Sequence, residues 1–441
     1  MNAILRSIAI AGALVGALAL ASTADAGGKH KNHHGNGHAS HSGNHWNTAK
    51  TNVQLGPRPF YLVDKMTDGP LKTKLEQCEN RKFTNRKFSI AHRGAPLQFP
   101  EHTEEGYRAA ARMGAGIIEC DVSFTKDGEL VCRHSQCDLH TTTNILDTPL
   151  ANTCATGFQP AEFDANGNRT KSATAKCCTS GLTLAEFKSL KGKMDGRDAN
   201  ATTVEQYMAG TANWRTDLYS TGGTLMSHKE SIALFKKLGV GMTPELKSVD
   251  SGVGFEDSGF TQETYAARMI QDYIDARVSP RNVYPQSFNI NDVLYWIDQF
   301  PAYGKQAVYL DGNGTAATGV YPPSVADFKA LRNQGVNIVA PSIPYLVTLD
   351  SNNTIVASDY ALNARKARMK VISWSHERSG RIVEEVLAGS GGYYSTVLDG
   401  LENDGDMMTV VDVLAREARI IGLFSDWPAT VSYYANCMGK K

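Results

Sequence analysis

From residue 88 onward, short apolar runs alternate with longer stretches in which apolar residues recur every three or four positions. The apolar runs predict strands at 88–92, 116–122, 240–247, 283–288, 306–310, 336–340, 369–374 and 420–425. The amphipathic stretches between them predict helices at 103–113, 228–238, 262–277, 290–299, 323–334, 358–367 and 405–418. Strand–helix units in this order predict an α/β fold, a TIM (β/α)8 barrel. One element departs from the rhythm. Asp127-Gly128 lies between two apolar runs and predicts a tight hairpin. With a two-residue loop, Lys126 pairs with Glu129 and His134 falls opposite Asp121, with Cβ atoms about 5 Å apart. Any other loop length shifts the register by one and turns His134 to the other face.

Residues 135–225 break the barrel rhythm and predict an insertion, a cap or rim over the barrel mouth. Four of the eight cysteines (Cys137, Cys154, Cys177 and Cys178) fall inside it; Cys78, Cys120, Cys132 and Cys437 lie outside. Such a loop-rich stretch predicts disulfide staples, although spacing leaves the pairing open. Residues 1–26 combine Arg6, an apolar Ala/Gly-rich run and Ala24-Asp25-Ala26, which predicts a signal peptide cleaved before Gly27. The short Ala-rich form looks bacterial, so the expected location is secreted or periplasmic, where disulfides persist. Residues 27–60 open with His30, His33, His34, His38, His41 and His45 among Gly, Asn and Ser. They predict a disordered His-rich tail, which leaves 61–441 as the barrel domain. Lys+Arg and Asp+Glu both number 45, so no net charge draws the chain to nucleic acid or to anionic membrane. No stable membrane insertion is expected; oligomeric state stays open.

The chemistry concentrates early in the barrel. Glu119 and Asp121 stand two apart on a strand and share a face. Glu245 and Lys247 repeat the device on the third strand. Three inward carboxylates would repel one another without a cation, and all-oxygen ligation favours Ca²⁺ or Mg²⁺. Arg93 and Lys247 supply positive potential for a phosphate, and His92 and His134 can take and return a proton. Gly94, beside Arg93, would let a phosphate approach the backbone.

Taken in order, His92-Arg93-Gly94, Pro100-Glu101-His102-Thr103, Glu119-Cys120-Asp121, Thr125-Lys126-Asp127-Gly128, His134, Glu245-Leu246-Lys247, Ser287-Phe288, Trp374 and Ser425-Asp426-Trp427-Pro428 resemble the glycerophosphodiester phosphodiesterase family. The resemblance implies metal-dependent hydrolysis of small glycerophosphodiesters to glycerol 3-phosphate and an alcohol. It implies His92 and His134 as the acid/base pair and Glu119, Asp121 and Glu245 as ligands of one Ca²⁺ or Mg²⁺. It further implies Arg93 and Lys247 on the phosphate, Glu101 orienting Arg93, and Phe288 with Trp374 as an apolar wall; core packing is an equal expectation for Phe288. The family often carries His-Asp where this chain has His134-Ser135, and Asn where it has His102. Gln136 or Asp138 is the expected replacement partner for the His134 ring, and His102 is expected to be structural or to support the site from behind, not to be catalytic. His140, His228 and His376 have no supporting pattern. Two alternatives use the same sequence: a phospholipase C- or D-type lipid phosphodiesterase, and a non-catalytic secreted binding protein. The first lacks an apolar stretch or basic cluster to mark a membrane edge. The second leaves the co-occurring acids, imidazoles and cations unexplained.

Overall fold

The computed structural model describes residues 52–219, 222–255 and 258–441; the expected signal peptide and the histidine-rich stretch lie outside them. The tail was expected to reach residue 60, but a helix, Arg58–Lys65, begins inside that range. Leu62 and Val63 are fully buried there, and eight residues are too few to show a clear period.

Eight parallel strands form a closed ring: β1 (Arg86–Ala91), β2 (Ala115–Phe124), β3 (Gly241–Leu246), β4 (Gln286–Ser287), β5 (Val308–Asp311), β6 (Ile338–Pro341), β7 (Lys370–His376) and β8 (Gly422–Ser425). The ring closes because β1 pairs with both β2 and β8. This is the TIM-barrel architecture expected from the alternation. Alternate strand residues point inward. Ile90, Ile117, Val308, Leu310, Ile338, Ala340, Ile372 and Phe424 plug the interior. Their neighbours in sequence, such as Ile118, Val339 and Val371, face the helices and join the main core.

The hairpin forms, but one register step from the expected one. Val122 stands opposite Cys132 and Phe124 opposite Leu130, so the loop holds three residues rather than two. The cause is local. Thr125 N–H donates to the Glu129 carbonyl at 2.9 Å, while the Thr125 hydroxyl bonds Asp127 and accepts from the Glu129 N–H. Arg133, not His134, therefore lies level with Asp121, donating its N–H to the Asp121 carbonyl at 2.7 Å. His134 still reaches the barrel mouth, because the returning strand ends at Cys132 and the chain bends before the pleat can turn it away.

The insertion carries its own apolar core, including Leu139, Ile145, Phe187 and Tyr207. Cys137–Cys178 and Cys154–Cys177 staple it. Cys120–Cys132 ties β2 to the returning strand, and Cys78–Cys437 joins the segment before β1 to the helix Pro428–Cys437. The last bridge spans 359 residues. Cross-linking so long a loop restricts the unfolded chain most, so the Cys78→Ser, Cys437→Ser variant should lose about 2–5 kcal/mol. Urea unfolding checks this; an unchanged midpoint at equal slope would refute it.

Candidate active site

The candidate residues stand where the strands meet the mouth. Asp121 on β2 sits directly beside Glu245 on β3 in the parallel register, and Glu119 lies two residues below on the same inward face. Ligand oxygens of Glu119, Asp121 and Glu245 all lie within 4.8 Å of one another, and all three residues are buried. A cavity of about 80 Å³ is lined by His92, Arg93, Glu119, His134, Glu245, Lys247, Phe288 and Trp374, together with Gln286, Leu310, Tyr393 and Phe424. Asp121 and Glu101 stand behind this lining.

Arg93 is held from several sides. Its φ of 54° is unusual for a bulky residue. The backbone is pinned there by the Arg93 N–H donating to Glu119 Oε2 at 2.8 Å and by the Arg93 carbonyl accepting from His102 N–H at 2.9 Å. The guanidinium donates to Glu101 Oε2 at 3.0 Å and lies 3.7 Å from Asp121. Gly94, at φ 100°, packs on the Gly106 backbone, where a Cβ would come within 3.1 Å. It thus seats the helix Glu104–Arg112 against the strand end.

The carboxylates are unequal. Burial, then repulsion from Asp121 and Glu245, pushes Glu119 well above the usual carboxyl range. Burial also pushes Glu245 up to about 7, with Asp121 adding to the rise against the opposing pull of Lys247. Asp121 goes the other way: against its burial, Lys247 and His102 hold it well below its ordinary value. Lys247 Nζ donates to Glu245 at 2.5 Å, and His102 Nε2 lies 2.9 Å from Asp121 with its Nδ1 on the Tyr107 hydroxyl. Asp121 Oδ1 is buried without a hydrogen-bond partner. An orphaned anionic oxygen, mutual repulsion and an all-oxygen donor set together fit a hard divalent cation.

The two imidazoles differ in support. His92 Nδ1 is 2.6 Å from Asp426 Oδ1, which fixes Nδ1 as the donor and leaves Nε2 as an acceptor near Ser375. Burial lowers His92 to about 4 despite Asp426, so the ring is neutral at pH 7. Burial also lowers His134 well below its usual value, reinforced by Arg93 and Lys247. No side chain hydrogen-bonds the His134 ring among the described residues. The expected replacement partners point elsewhere: Gln136 bonds Ser180 and the Asp250 N–H, and Asp138 accepts the Ser135 N–H. Gln136 thus bridges the insertion to the loop after β3, and Asp138 closes its own turn.

Phe288 is 41% exposed and packs edge-on against Trp374 at 5.8 Å, so it belongs to the cavity wall rather than the core. His228 is buried between Asp272 and Tyr273, and His376 is buried against Tyr394. Sequence reasoning passed over Gln286, which donates to Glu119 at 2.9 Å, and Tyr393, whose ring flanks Trp374. It also gave Asp426 no role. The available signal was an acid directly after the last strand, at the end of the barrel where sites form.

Comparison with known proteins agrees with this geometry. Residues 92–377 match the model of the glycerophosphoryl diester phosphodiesterase family. A protein of Arthroderma benhamiae named as an extracellular protein is 43% identical over 245 residues, 55% of this chain and 99% of its own length. The Bacillus subtilis glycerophosphodiester phosphodiesterase is 45% identical over 60 residues, 14% of this chain and 20% of that enzyme. The crystal structure of a Silicibacter pomeroyi protein assigned as a glycerophosphoryl diester phosphodiesterase shares the fold, with a TM-score of 0.51 at 18% identity over 83% of this chain and 98% of that one. The chain therefore belongs to the glycerophosphoryl diester phosphodiesterase family and is a hydrolase of phosphoric diesters.

Proposed function

We propose that this is a secreted, divalent-cation-dependent enzyme that releases glycerol 3-phosphate from small glycerophosphodiesters, with His92 and His134 as its proton carriers. One observation carries the proposal: two imidazoles, two cationic side chains and a buried carboxylate cluster converge on a single cavity. Glu119, Asp121 and Glu245 would hold Ca²⁺ or Mg²⁺, which when bound polarises a phosphoryl oxygen and lowers the proton affinity of a bound hydroxyl. Arg93 and Lys247 hold the phosphate and meet the negative charge gained in the transition state. Neutral His92, with Nε2 open to the cavity, takes the proton of the substrate's own glycerol 2-hydroxyl as that oxygen attacks phosphorus. His134 gives a proton to the departing alcohol; the phosphate anion offsets Arg93 and Lys247, two of the influences that keep the free ring unprotonated. The cyclic phosphate then opens with water as the two imidazoles exchange roles. Phe288 and Trp374 flank the glycerol or the leaving group. Secretion is supported by the four disulfides and by the extracellular relative. Among the described residues no helix is long and apolar enough to cross a membrane.

The test is release of glycerol 3-phosphate from glycerophosphocholine. Intramolecular attack gains from proximity, so bis(p-nitrophenyl) phosphate, which lacks an adjacent hydroxyl, should turn over at least roughly 100-fold more slowly. Comparable rates on the two diesters would remove the 2-hydroxyl from the mechanism.

A further inference from the structure

We propose that the insertion is part of the catalytic machinery: Arg215 is a positioning residue that locks Asp426 and, through it, the His92 ring. The proposal rests on the role of His92 given above. Asp426 is fully buried, and both its oxygens are occupied. Oδ1 takes His92, while Oδ2 accepts from Arg215 at 2.8 Å and from Arg378 at 3.2 Å. The two guanidiniums also face Asp195, at 3.8 and 3.5 Å. Two anions and two cations thus alternate behind His92. Arg378 follows β7 and Asp426 follows β8, but Arg215 and Asp195 both come from the insertion.

A second set of contacts fixes the same segment. The Thr216 N–H donates to the Leu97 carbonyl at 3.0 Å, and Gln98 Nε2 donates to the Thr216 hydroxyl at 3.3 Å. The Leu97 N–H in turn points at the Asp426 carbonyl at 3.4 Å. The residues around Arg215 are therefore stitched to the loop that begins with His92-Arg93-Gly94 and, through that loop, to Asp426. Two donors on Oδ2 hold the carboxylate's final torsion more tightly than one does, and the shorter of the two contacts is that of Arg215. The barrel alone supplies Arg378. The insertion supplies the second grip, and Arg215 is itself buried. Its burial is compatible with folding because Asp426 and Asp195 pair it.

The experiment measures kcat and KM on glycerophosphocholine for the full chain with Arg215→Gln, Arg215→Lys and Asp195→Asn, each scaled to the folded fraction from near-UV circular dichroism. A catalytic ring displaced by a fraction of an ångström loses rate rather than affinity. Arg215→Gln should therefore lower kcat roughly 10- to 100-fold, with KM within about threefold of wild type. Arg215→Lys keeps a cation within reach of Oδ2 and should recover most of the loss. Asp195→Asn, which leaves Arg215 in place with one partner fewer, should lower kcat by roughly 3- to 10-fold. Unchanged kcat in folded Arg215→Gln overturns the proposal. So does a rise confined to KM, or equal loss with Gln and Lys, since a mere fastening of the insertion would give those results. If Arg215→Gln does not fold, Asp195→Asn decides, and wild-type kcat there overturns the proposal. His92→Ala in the same assay separates the two levels: activity without His92 refutes the reading of the site, whereas a dead His92→Ala beside a fully active Arg215→Gln refutes only the positioning role.

Discussion

His92→Ala should lower kcat by about 10²–10⁴-fold while leaving the barrel folded. On the proposed mechanism the rate falls because the ring, with its Nδ1 held by Asp426, carries the proton. The fold survives because Asp426, left without its imidazole, still has Arg215 and Arg378 on its other oxygen. The ion cluster stays balanced, so no charge is stranded in the interior. KM should move little, since Arg93 and Lys247, the proposed phosphate ligands, remain in place. Single-turnover kinetics with a thermal melt check both halves. A kcat within about threefold of wild type would take His92 out of the proton transfer, and a collapsed melt would show that the buried ion cluster depends on the ring.

Glu119→Gln should abolish cation-dependent activity and yet stabilise the protein in chelator. In the unfolded chain this carboxyl ionises near its ordinary value, about 4.3. In the fold, burial and two neighbouring acids raise it. A carboxyl raised in this way leaves the fold unpenalised below its unfolded value and weakens the cation-free fold progressively as pH rises from that value toward its raised folded value, so near neutral pH it works against the fold. Glutamine removes the charge and keeps the shape. It still accepts from the Arg93 N–H, and its amide can donate to Gln286 Oε1 once the Gln286 amide flips; that oxygen is buried without a partner in the native protein. The gain should be on the order of 1 kcal/mol, roughly 2 °C for a domain of this size. Added Ca²⁺ or Mg²⁺ should raise the melting temperature of the wild type and leave that of the variant unmoved, because only a species that binds the native state stabilises it. A lower melting temperature for the variant in chelator would show that the acids are not in conflict. Equal cation shifts in both proteins would remove Glu119 from the ligand set.

Much of this architecture was legible because period is a direct imprint of burial. All eight barrel strands fall where apolar runs predicted them, and the helices His228–Leu238 and Ile290–Gln299 have the predicted limits. The helix Pro428–Cys437 escaped notice for the converse reason. Nearly all of its residues are buried, so it has no polar face to betray a period. The hairpin register was misjudged because one threonine side chain, not the Asp-Gly pair, decides the loop length. Within the site, residues two apart on one strand, such as Glu119 and Asp121, were readable as neighbours. Asp426 was not readable as the partner of His92, because 334 residues separate them and only ring closure brings β8 beside β1. Arg215 lay deeper still, since no periodicity in the insertion says where it will touch the barrel. Disulfide pairing was likewise a matter of three-dimensional proximity.

The Cys120–Cys132 bridge has a practical corollary. One sulfur sits between Glu119 and Asp121 in the chain, and the other lies two residues before His134. Oxidation therefore ties the strand that carries Glu119 and Asp121 to the turn that carries His134. Protein produced in a reducing cytosol should lack that tie and show lower specific activity than oxidised protein, so the redox history of the molecule bears on the catalyst as well as on its folding.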